Sequence, residues 1–214
     1  MPADPGVDCP LCPRLVEYRH NLRADEPSWY NSPVPTFGDL LTAELLIVGL
    51  APGVRGANRT GRAFTGDFAG DVLYPALLAH GLATGQFDAR PDDTLQLKGC
   101  AITNAVRCVP PQNKPTGPEI NACRPYLADT IEAMPQLRVM LALGRIAHDA
   151  VLRTVGEKLS AHPFKHGAIH ALPRGLSLAD SYHTSRYNVN TGVLTPDMFD
   201  AVVANMTAVL STPR

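Results

Sequence analysis

Four short apolar runs constrain the fold of this chain more than any other feature of its sequence. They cover residues 45–50, 101–106, 139–143 and 176–182. Runs of this length, without alternation of apolar and polar residues, are typical of parallel strands buried on both faces. Apolar residues at three- and four-residue spacing elsewhere predict helices over 11–22, 71–80, 119–132, 146–155 and 197–210. Strands that alternate with helices predict an α/β fold with three layers, in which helices cover both faces of a four-stranded parallel central sheet.

The length and charge of the chain narrow its organisation and its partners. The 214 residues, 45% of them hydrophobic, fit one α/β domain over residues 1–214, without an internal repeat or an obvious linker. The 19 basic and 20 acidic side chains nearly cancel. Any binding to nucleic acid therefore requires a local basic patch. We find no apolar run of membrane-spanning length and no secretory pattern in residues 1–8, so we expect a cytoplasmic protein without membrane contact.

The loop after the first apolar run is the richest in chemistry. In parallel α/β folds, ligands bind beyond the carboxyl ends of the strands. Residues 49–67 contain five glycines, three arginines, Phe64 and Asp67, which together offer close backbone approach, phosphate contacts, a stacking face and a carboxylate. By composition alone, a nucleotide-binding loop or a purely structural turn would look similar. It is not a P-loop, because no Gly-Lys-Ser/Thr follows.

A second polar loop follows the last apolar run. It contains His183, Arg186 and Asn188. A histidine at the end of a strand can act as an acid, a base or a hydrogen-bond donor. Taken alone, a histidine in this position is just as compatible with a structural role.

The five cysteines are the third candidate site. Cys9 and Cys12 form a C-x2-C pair, and Cys108 and Cys123 form a wider pair. In a reducing compartment, such pairs favour metal or cluster ligation over disulfides. The spacing admits zinc as well as an iron-sulfur cluster.

Three motifs, taken together and in order, resemble those of a known family. They are Gly-Leu-Ala-Pro-Gly at residues 49–53, Asn-Arg-Thr-Gly-Arg-x-Phe-Thr-Gly-Asp at 58–67 and His-x-Ser-Arg-x-Asn at 183–188. The chain resembles the uracil-DNA glycosylase superfamily, most closely family 5, the type B enzymes. The resemblance implies a monomeric, monofunctional glycosylase that flips and hydrolytically excises uracil from DNA and so starts base-excision repair. Hypoxanthine, xanthine and ethenocytosine are further substrates that it implies.

The resemblance also assigns the cysteines. Cys9, Cys12, Cys108 and Cys123 are similar to the four ligands of the [4Fe-4S] cluster in families 4 and 5, with Cys100 left as a buried strand residue. With all four thiolates occupied, such a site has no open position for catalysis. The expected role is therefore structural, with the cluster tying an N-terminal arm of about residues 1–40 to the core.

On the same basis, the pocket for the base combines side-chain and backbone groups. Phe64 is expected to stack on the flipped base, and backbone groups of Ala51, Pro52 and Gly53 are expected to contact its edge. His183 is expected to donate a hydrogen bond to the base oxygen that gains negative charge as the bond breaks.

Asp67 is the candidate catalytic group on the sugar side. Sister families carry a carboxylate or an amide in the first motif, where this chain has the apolar Leu50 and Ala51. Family 5 is thought to use the aspartate that aligns with Asp67. Its alternative role is to cap the helix predicted near Asp71. Asn188 is expected to hold the second loop or the substrate.

Two further expectations concern specificity and DNA binding. Asn104 stands where family 4 has an asparagine that reads the uracil edge, whereas family 5 often has a small residue there, so this chain is expected to be more selective for uracil. The basic residues expected to share a DNA-facing rim are Arg55, Arg59, Arg62 and Arg186, with Arg107 and Lys114.

Two competing interpretations remain at this point. In the first, the chain is a non-catalytic iron-sulfur redox or sensor protein, and the glycine-rich loop is incidental. In the second, it is a zinc-stapled nucleotide-binding or phosphohydrolase domain on the same scaffold.

Overall fold

The computed structural model describes residues 4–212. Its helices are α1 (Pro13–Asp25), α2 (Ala57–Thr60), α3 (Phe68–Ala79), α4 (Gly117–Glu132), α5 (Arg145–Val155), α6 (Arg186–Asn190) and α7 (Pro196–Ser211). Its strands are β1 (Leu45–Gly49), β2 (Ala83–Thr84), β3 (Gln96–Leu97), β4 (Cys100–Asn104), β5 (Val139–Leu143), β6 (Ile169–Ala171) and β7 (Ser177–Ser181). Within these residues, no helix combines the length and the apolar character needed to cross a membrane.

The main sheet has the strand order β4-β1-β5-β7-β6. Its first four strands are parallel, which confirms the predicted α/β fold and the four apolar runs. The fifth strand, β6, runs antiparallel at the edge and was not predicted. Gly49 pairs with Asn104, and Leu143 pairs with Ser181. The carboxyl ends of all four parallel strands therefore lie side by side.

Each parallel strand is covered on both faces, as β1 illustrates. Leu45 and Ile47 belong to the apolar cluster that includes side chains of α3 and α7. Leu46 and Val48 belong to a second cluster with side chains of α4 and α5. All five residues of β1 are buried, so the strand has no polar side and reads as one continuous apolar run.

The structure differs from the predictions mostly at helix starts and short elements. The third helix begins at Phe68 instead of residue 71, and the first begins at Pro13 instead of residue 11. Proline is well suited to a first helical position because its φ is fixed and it has no N–H to leave unpaired. The short α2 and α6 lie inside the two polar loops, and neither has the periodicity that would reveal it.

Candidate functional site

The carboxyl edge of the sheet brings together three of the predicted site residues. Gly49 ends β1, and a Cβ at this position would overlap Asn104 Oδ1 and lie 2.6 Å from the Phe64 ring. A Cβ at Gly144, which follows β5, would lie 3.5 Å from the Cβ of His183. The Phe64 and His183 rings are stacked, with centroids 6.0 Å apart and an angle of 29° between their planes. Gly49 leaves the space in which Asn104 and Phe64 converge, and Gly144 supplies the positive φ of +95° at the end of β5 beside His183.

An open cavity of about 610 Å³ lies against this edge. A volume of this order is typical of sites for small molecules. Six of the predicted site residues line it: Ala51, Gly53, Arg55, Asp67, His183 and Arg186.

The first loop holds Phe64 in a strained backbone conformation. Its φ is +53°, which bulky residues rarely adopt. The Tyr74 hydroxyl donates a hydrogen bond of 2.5 Å to the carbonyl of Ala63. A Cβ at Gly70 would overlap the Phe64 carbonyl, so α3 must have glycine there. Such strain persists only where surrounding contacts enforce it, which is common at ligand sites.

Asp67 precedes α3, but its side chain does not cap the helix. Its Oδ1 is buried without a hydrogen-bond partner among the described residues. Its Oδ2 lies against the backbone of the first loop, since a Cβ at Gly53 would be 2.8 Å away and a Cβ at Gly56 would overlap it. Burial raises the pKa of Asp67, and the backbone amides of Gly70 and Ala69 oppose this shift. The carboxylate therefore lies between the first turn of α3 and the cavity, with one oxygen unpaired among the described residues.

His183 presents a neutral ring to the cavity. Burial lowers its pKa to about 4. A neutral imidazole carries one N–H donor and one acceptor. The side-chain amide of Asn188 donates to the His183 carbonyl at 2.8 Å, and the Asn188 backbone N–H donates to Ser185 Oγ at 3.4 Å. Asn188 therefore braces the loop from which the His183 ring projects.

Asn104 is buried at the end of β4, with 3% of its surface exposed. Its side-chain amide forms no hydrogen bond within residues 4–212. A buried amide without a protein partner has both its donor and its acceptor available.

The cationic side chains divide into a surface group and a structural group. Arg55, Arg59, Lys114 and Arg186 are exposed. Arg55 and Arg186 line the cavity, and the Arg186 guanidinium lies 5.4 Å from the centre of the Phe68 ring. Arg55 and Arg186 therefore form a basic rim at the mouth of the cavity, whereas Arg59 and Lys114 are exposed but do not line it.

Arg62 does not belong to this rim, and its prediction as a DNA-binding residue is wrong. It is 7% exposed, and its guanidinium donates to both carboxylate oxygens of Asp93 at 2.7 Å. This hydrogen bonding holds the pKa of Asp93 at about 2. The third donor, Arg62 Nε, bonds Thr65 Oγ1 at 2.7 Å. Arg107 is also buried and pairs with Asp4 at 2.8 Å, so its predicted place on the rim is wrong too.

Six further residues line the cavity but were not predicted as site residues: Leu50, Gly66, Phe68, Ala69, Asn113 and Ser185. Ser185 had a detectable signal, because serine before a short helix is a favoured cap and its hydroxyl accepts from the N–H three residues later. Asn113 adopts a φ of +57°, which asparagine tolerates better than most residues. Nothing in the sequence reveals that Phe68 lies beneath Arg186.

The four predicted ligand cysteines line a second, smaller cavity. Cys9 and Cys12 precede α1, Cys108 follows β4 and Cys123 lies in α4, and all are free thiols. Burial raises the pKa of Cys108 to about 12 and that of Cys123 to about 11, so these thiols give up their protons only to a bound metal.

The chemistry of these residues tests which group they fit. Four cysteine thiols line one cavity, and their side chains come from segments far apart in the sequence. Four thiolates are the donor set of structural zinc sites and of [4Fe-4S] clusters alike. The residues therefore fit a four-thiolate metal centre.

Comparison with known proteins assigns the family. The sequence profile of the Uracil DNA glycosylase superfamily matches residues 35–207. A Type-5 uracil-DNA glycosylase of Thermus thermophilus is 50% identical over 197 residues, 89% of each chain. A Type-5 enzyme of Pyrobaculum aerophilum is 40% identical over 94% of this chain and 89% of its own, and a Type-4 enzyme of the same organism is 33% identical over 71% and 63%. With this match and these relatives, the chain belongs to the uracil-DNA glycosylase superfamily.

Proposed function

We propose that this chain hydrolyses the N-glycosidic bond of uracil in DNA and so starts base-excision repair. The observation that carries the proposal is that the Asp67 carboxylate and a neutral His183 line one cavity, with the buried Phe64 ring stacked against His183 behind it. Breaking this bond builds positive charge on the sugar and negative charge on the departing base. The names of the Type-5 relatives support the same activity.

The base must leave the DNA stack to reach this cavity, at a cost of roughly a few kcal/mol. Phe64, held by its strained backbone, supplies a rigid face on which the flipped base stacks. The backbone of Ala51, Pro52 and Gly53 contacts the edge of the base. Fixed groups of this kind lower the entropic cost of orienting the substrate.

Asp67 acts on the sugar side of the bond. Its side chain lines the cavity, and its Oδ1 has no hydrogen-bond partner within residues 4–212, so we assign it to stabilising the developing cation and orienting the attacking water. Leu50 and Ala51, which line the same cavity, have no polar side-chain atoms for this task. His183 acts on the base side, where its N–H donates to the oxygen that gains charge. Asn188 keeps the His183 loop in place.

The activity is tested with a labelled oligonucleotide containing one uracil, followed by alkaline cleavage at abasic sites. We expect strand cleavage with the wild type and a large loss with Asp67→Ala and His183→Ala. Absence of abasic product with the wild-type protein would contradict the proposal. The same assay with oligonucleotides containing hypoxanthine, xanthine or ethenocytosine shows which other bases are excised.

Asn104 is proposed to set that range. The amide can accept from uracil N3–H and donate to O4, whereas cytosine presents the reverse pattern. We expect Asn104→Ala to lower uracil excision by about tenfold or more, because one good bidentate contact is worth about 1–3 kcal/mol. Hypoxanthine excision should change less. Measuring both substrates with the same preparation cancels any loss of active protein, and an unchanged ratio would refute the assignment.

The basic rim is proposed to bind the phosphates of DNA. We expect Arg55→Gln and Arg186→Gln each to reduce the slope of log affinity against log salt by about one, because each removes one phosphate contact. Fluorescence anisotropy with a labelled duplex at several salt concentrations measures this slope. Arg153→Gln is the matched control, because Arg153 is exposed on α5 and does not line the cavity. If all three variants change the slope equally, the rim is not the binding surface.

Cys9, Cys12, Cys108 and Cys123 are proposed to hold a [4Fe-4S] cluster that ties the N-terminal arm, about residues 1–40, to the rest of the chain. When bound, such a group supplies folding free energy by joining distant segments. We expect brown protein with about four iron and four sulfide per chain. Colourless protein with one zinc per chain would exclude the cluster.

A further inference from the structure

A buried guanidinium lies beside the cysteines, and it belongs to Arg19. This residue of α1 is 2% exposed and lines the cysteine cavity. Its Nη1 lies 3.7 Å from Cys108 Sγ, and its Nη2 donates to the carbonyl of Cys9 at 3.1 Å. Its Nε is buried without a hydrogen-bond partner among the described residues. The charged group therefore faces the sulfur atoms, with part of its bonding capacity unused.

Arg19 differs from the other arginines near these cysteines. Arg14 pairs with Glu119 at 2.7 Å, and Arg107 pairs with Asp4 at 2.8 Å. Both of these positive charges are therefore offset by carboxylates. Arg19 takes part in no ion pair within residues 4–212.

The acidic residue that interacts electrostatically with Arg19 does not neutralise it. The pKa of Asp8 is lowered mainly by Arg23, with which it pairs at 2.6 Å, and Arg19 contributes to the same shift. The Asp8 side chain is 70% exposed, so water screens its charge from Arg19. A buried cation without a counter-anion is strongly destabilising. Among the described residues, the positive charge of Arg19 is therefore not compensated by a carboxylate.

We infer that Arg19 is the internal counter-cation of the metal–thiolate centre, an inference that rests on the proposed cluster. Four thiolates around the metal ions leave a net negative charge, buried where water cannot screen it. The guanidinium offsets that charge, and its Nη1–H stabilises Cys108 Sγ by a hydrogen bond. Arg19 is thus a positioning and charge-balancing residue, and it touches neither the DNA nor the base cavity.

Two consequences can be measured apart from glycosylase activity. A positive charge beside a cluster favours the more negative, reduced form, so its loss lowers the reduction potential. It also stabilises the bound thiolates, so its loss speeds the release of metal. Arg19→Gln removes the charge but keeps N–H donors, whereas Arg19→Lys keeps the charge.

The experiment follows iron release to an excess of chelator under argon, by loss of visible absorbance, and measures the reduction potential of the cluster. We expect Arg19→Gln to lose iron about tenfold faster and to have a lower potential. Arg19→Lys should remain within about threefold of the wild-type rate, and Arg23→Gln, on the same helix, should match the wild type in potential. Hydrogen bonds to cluster sulfurs and nearby charge both change the reduction potential. The rate of iron release is therefore measured as well, because it reports the stability of the bound thiolates.

Wild-type behaviour of Arg19→Gln in both readouts would overturn the inference. So would an Arg19→Lys variant that fails as badly as Arg19→Gln, because shape and not charge would then matter. If Arg19→Gln does not fold, Arg19→Met, which also removes the charge but fills a similar volume, takes its place, and wild-type behaviour of that variant in both readouts would overturn the inference. Zinc in the wild-type protein would overturn the cluster proposal alone. Rates of zinc transfer from the same variants then test the role of Arg19.

Discussion

Replacing Asp67 by asparagine is expected to lower the single-turnover rate of uracil excision by about a thousandfold, within the range typical of a positioned acid–base or electrostatic group. Asp67 lines the cavity, its Oδ1 has no hydrogen-bond partner within residues 4–212, and positive charge on the sugar is proposed to develop beside it. The change is nearly isosteric, so the loss reflects the charge. Quenched-flow or manual time courses with a labelled uracil oligonucleotide measure the rate.

The pH profile gives an independent check on Asp67. Because burial raises its pKa, the carboxylate is protonated at a higher pH than an ordinary aspartate. Excision by the wild type should therefore fall as the pH is lowered through that raised pKa and level off above it. This acid limb should be absent in Asp67→Asn. Asp71→Asn, an exposed residue of the same helix, is the control and should keep both the rate and the limb.

The same substitution should stabilise the protein. The folded state holds the Asp67 carboxylate in a less favourable environment than water does, so its raised pKa lowers stability at neutral pH. Asp67→Asn should raise the free energy of unfolding at pH 7, measured in urea. A lower value would show instead that Asp67 serves the fold, in contradiction to its proposed role.

Removing the His183 ring is expected to be the second largest effect, with His183→Ala about a hundredfold slower than the wild type. The ring is the donor proposed to stabilise negative charge on the departing base. His183→Gln, which keeps an N–H donor, should recover part of the rate. A His183→Ala variant that excises uracil at the wild-type rate would remove this residue from the mechanism.

The pKa of about 4 for His183 sets the expected pH dependence. Its ring stays neutral from about pH 6 to pH 8, so it should add no titration to the rate in that range. Between pH 6.5 and pH 4 the unfolded chain binds a proton that the folded chain does not. The wild type should therefore lose stability as the pH falls through this window, and His183→Ala should lose less. Urea unfolding at pH 7 and pH 5 compares the two proteins.

The cysteine cavity lies next to the cavity proposed to bind the base. Changes in the N-terminal segment that carries Cys9 and Cys12 can therefore affect the loop that lines the base cavity. Ala51 packs in the same apolar cluster as Cys108 and Val106, and the Val106 N–H donates to the Leu50 carbonyl at 2.9 Å. The loop that is proposed to contact the base therefore rests on the segment that carries a metal ligand. Loosening of the cysteine site should be transmitted to that loop.

The sequence by itself determined the parallel sheet, its two helical layers and the family. The central strands β1 and β5, buried on both faces, appear in the sequence as continuous apolar runs. The carboxyl ends of parallel strands gather at one edge of the sheet, so the two polar loops could be predicted to meet. The edge strand β6 was not predicted, because its residues are partly exposed and show neither a long apolar run nor clear alternation.

Only the tertiary structure decided which charged groups are free. Arg55 and Arg62 belong to one loop and look equivalent in sequence, but Arg62 is neutralised by Asp93, thirty-one residues away. Asp67 stands where a helix cap is expected, yet its Oδ1 has no hydrogen-bond partner among the described residues and its Oδ2 lies against the backbone of Gly53 and Gly56. Whether an ionisable group is paired depends on partners distant in sequence, and local pattern carries no record of them. The position of the loops and the residue types in them can thus be read from the local sequence. Whether each charged side chain is paired or open to a ligand is decided by the tertiary structure.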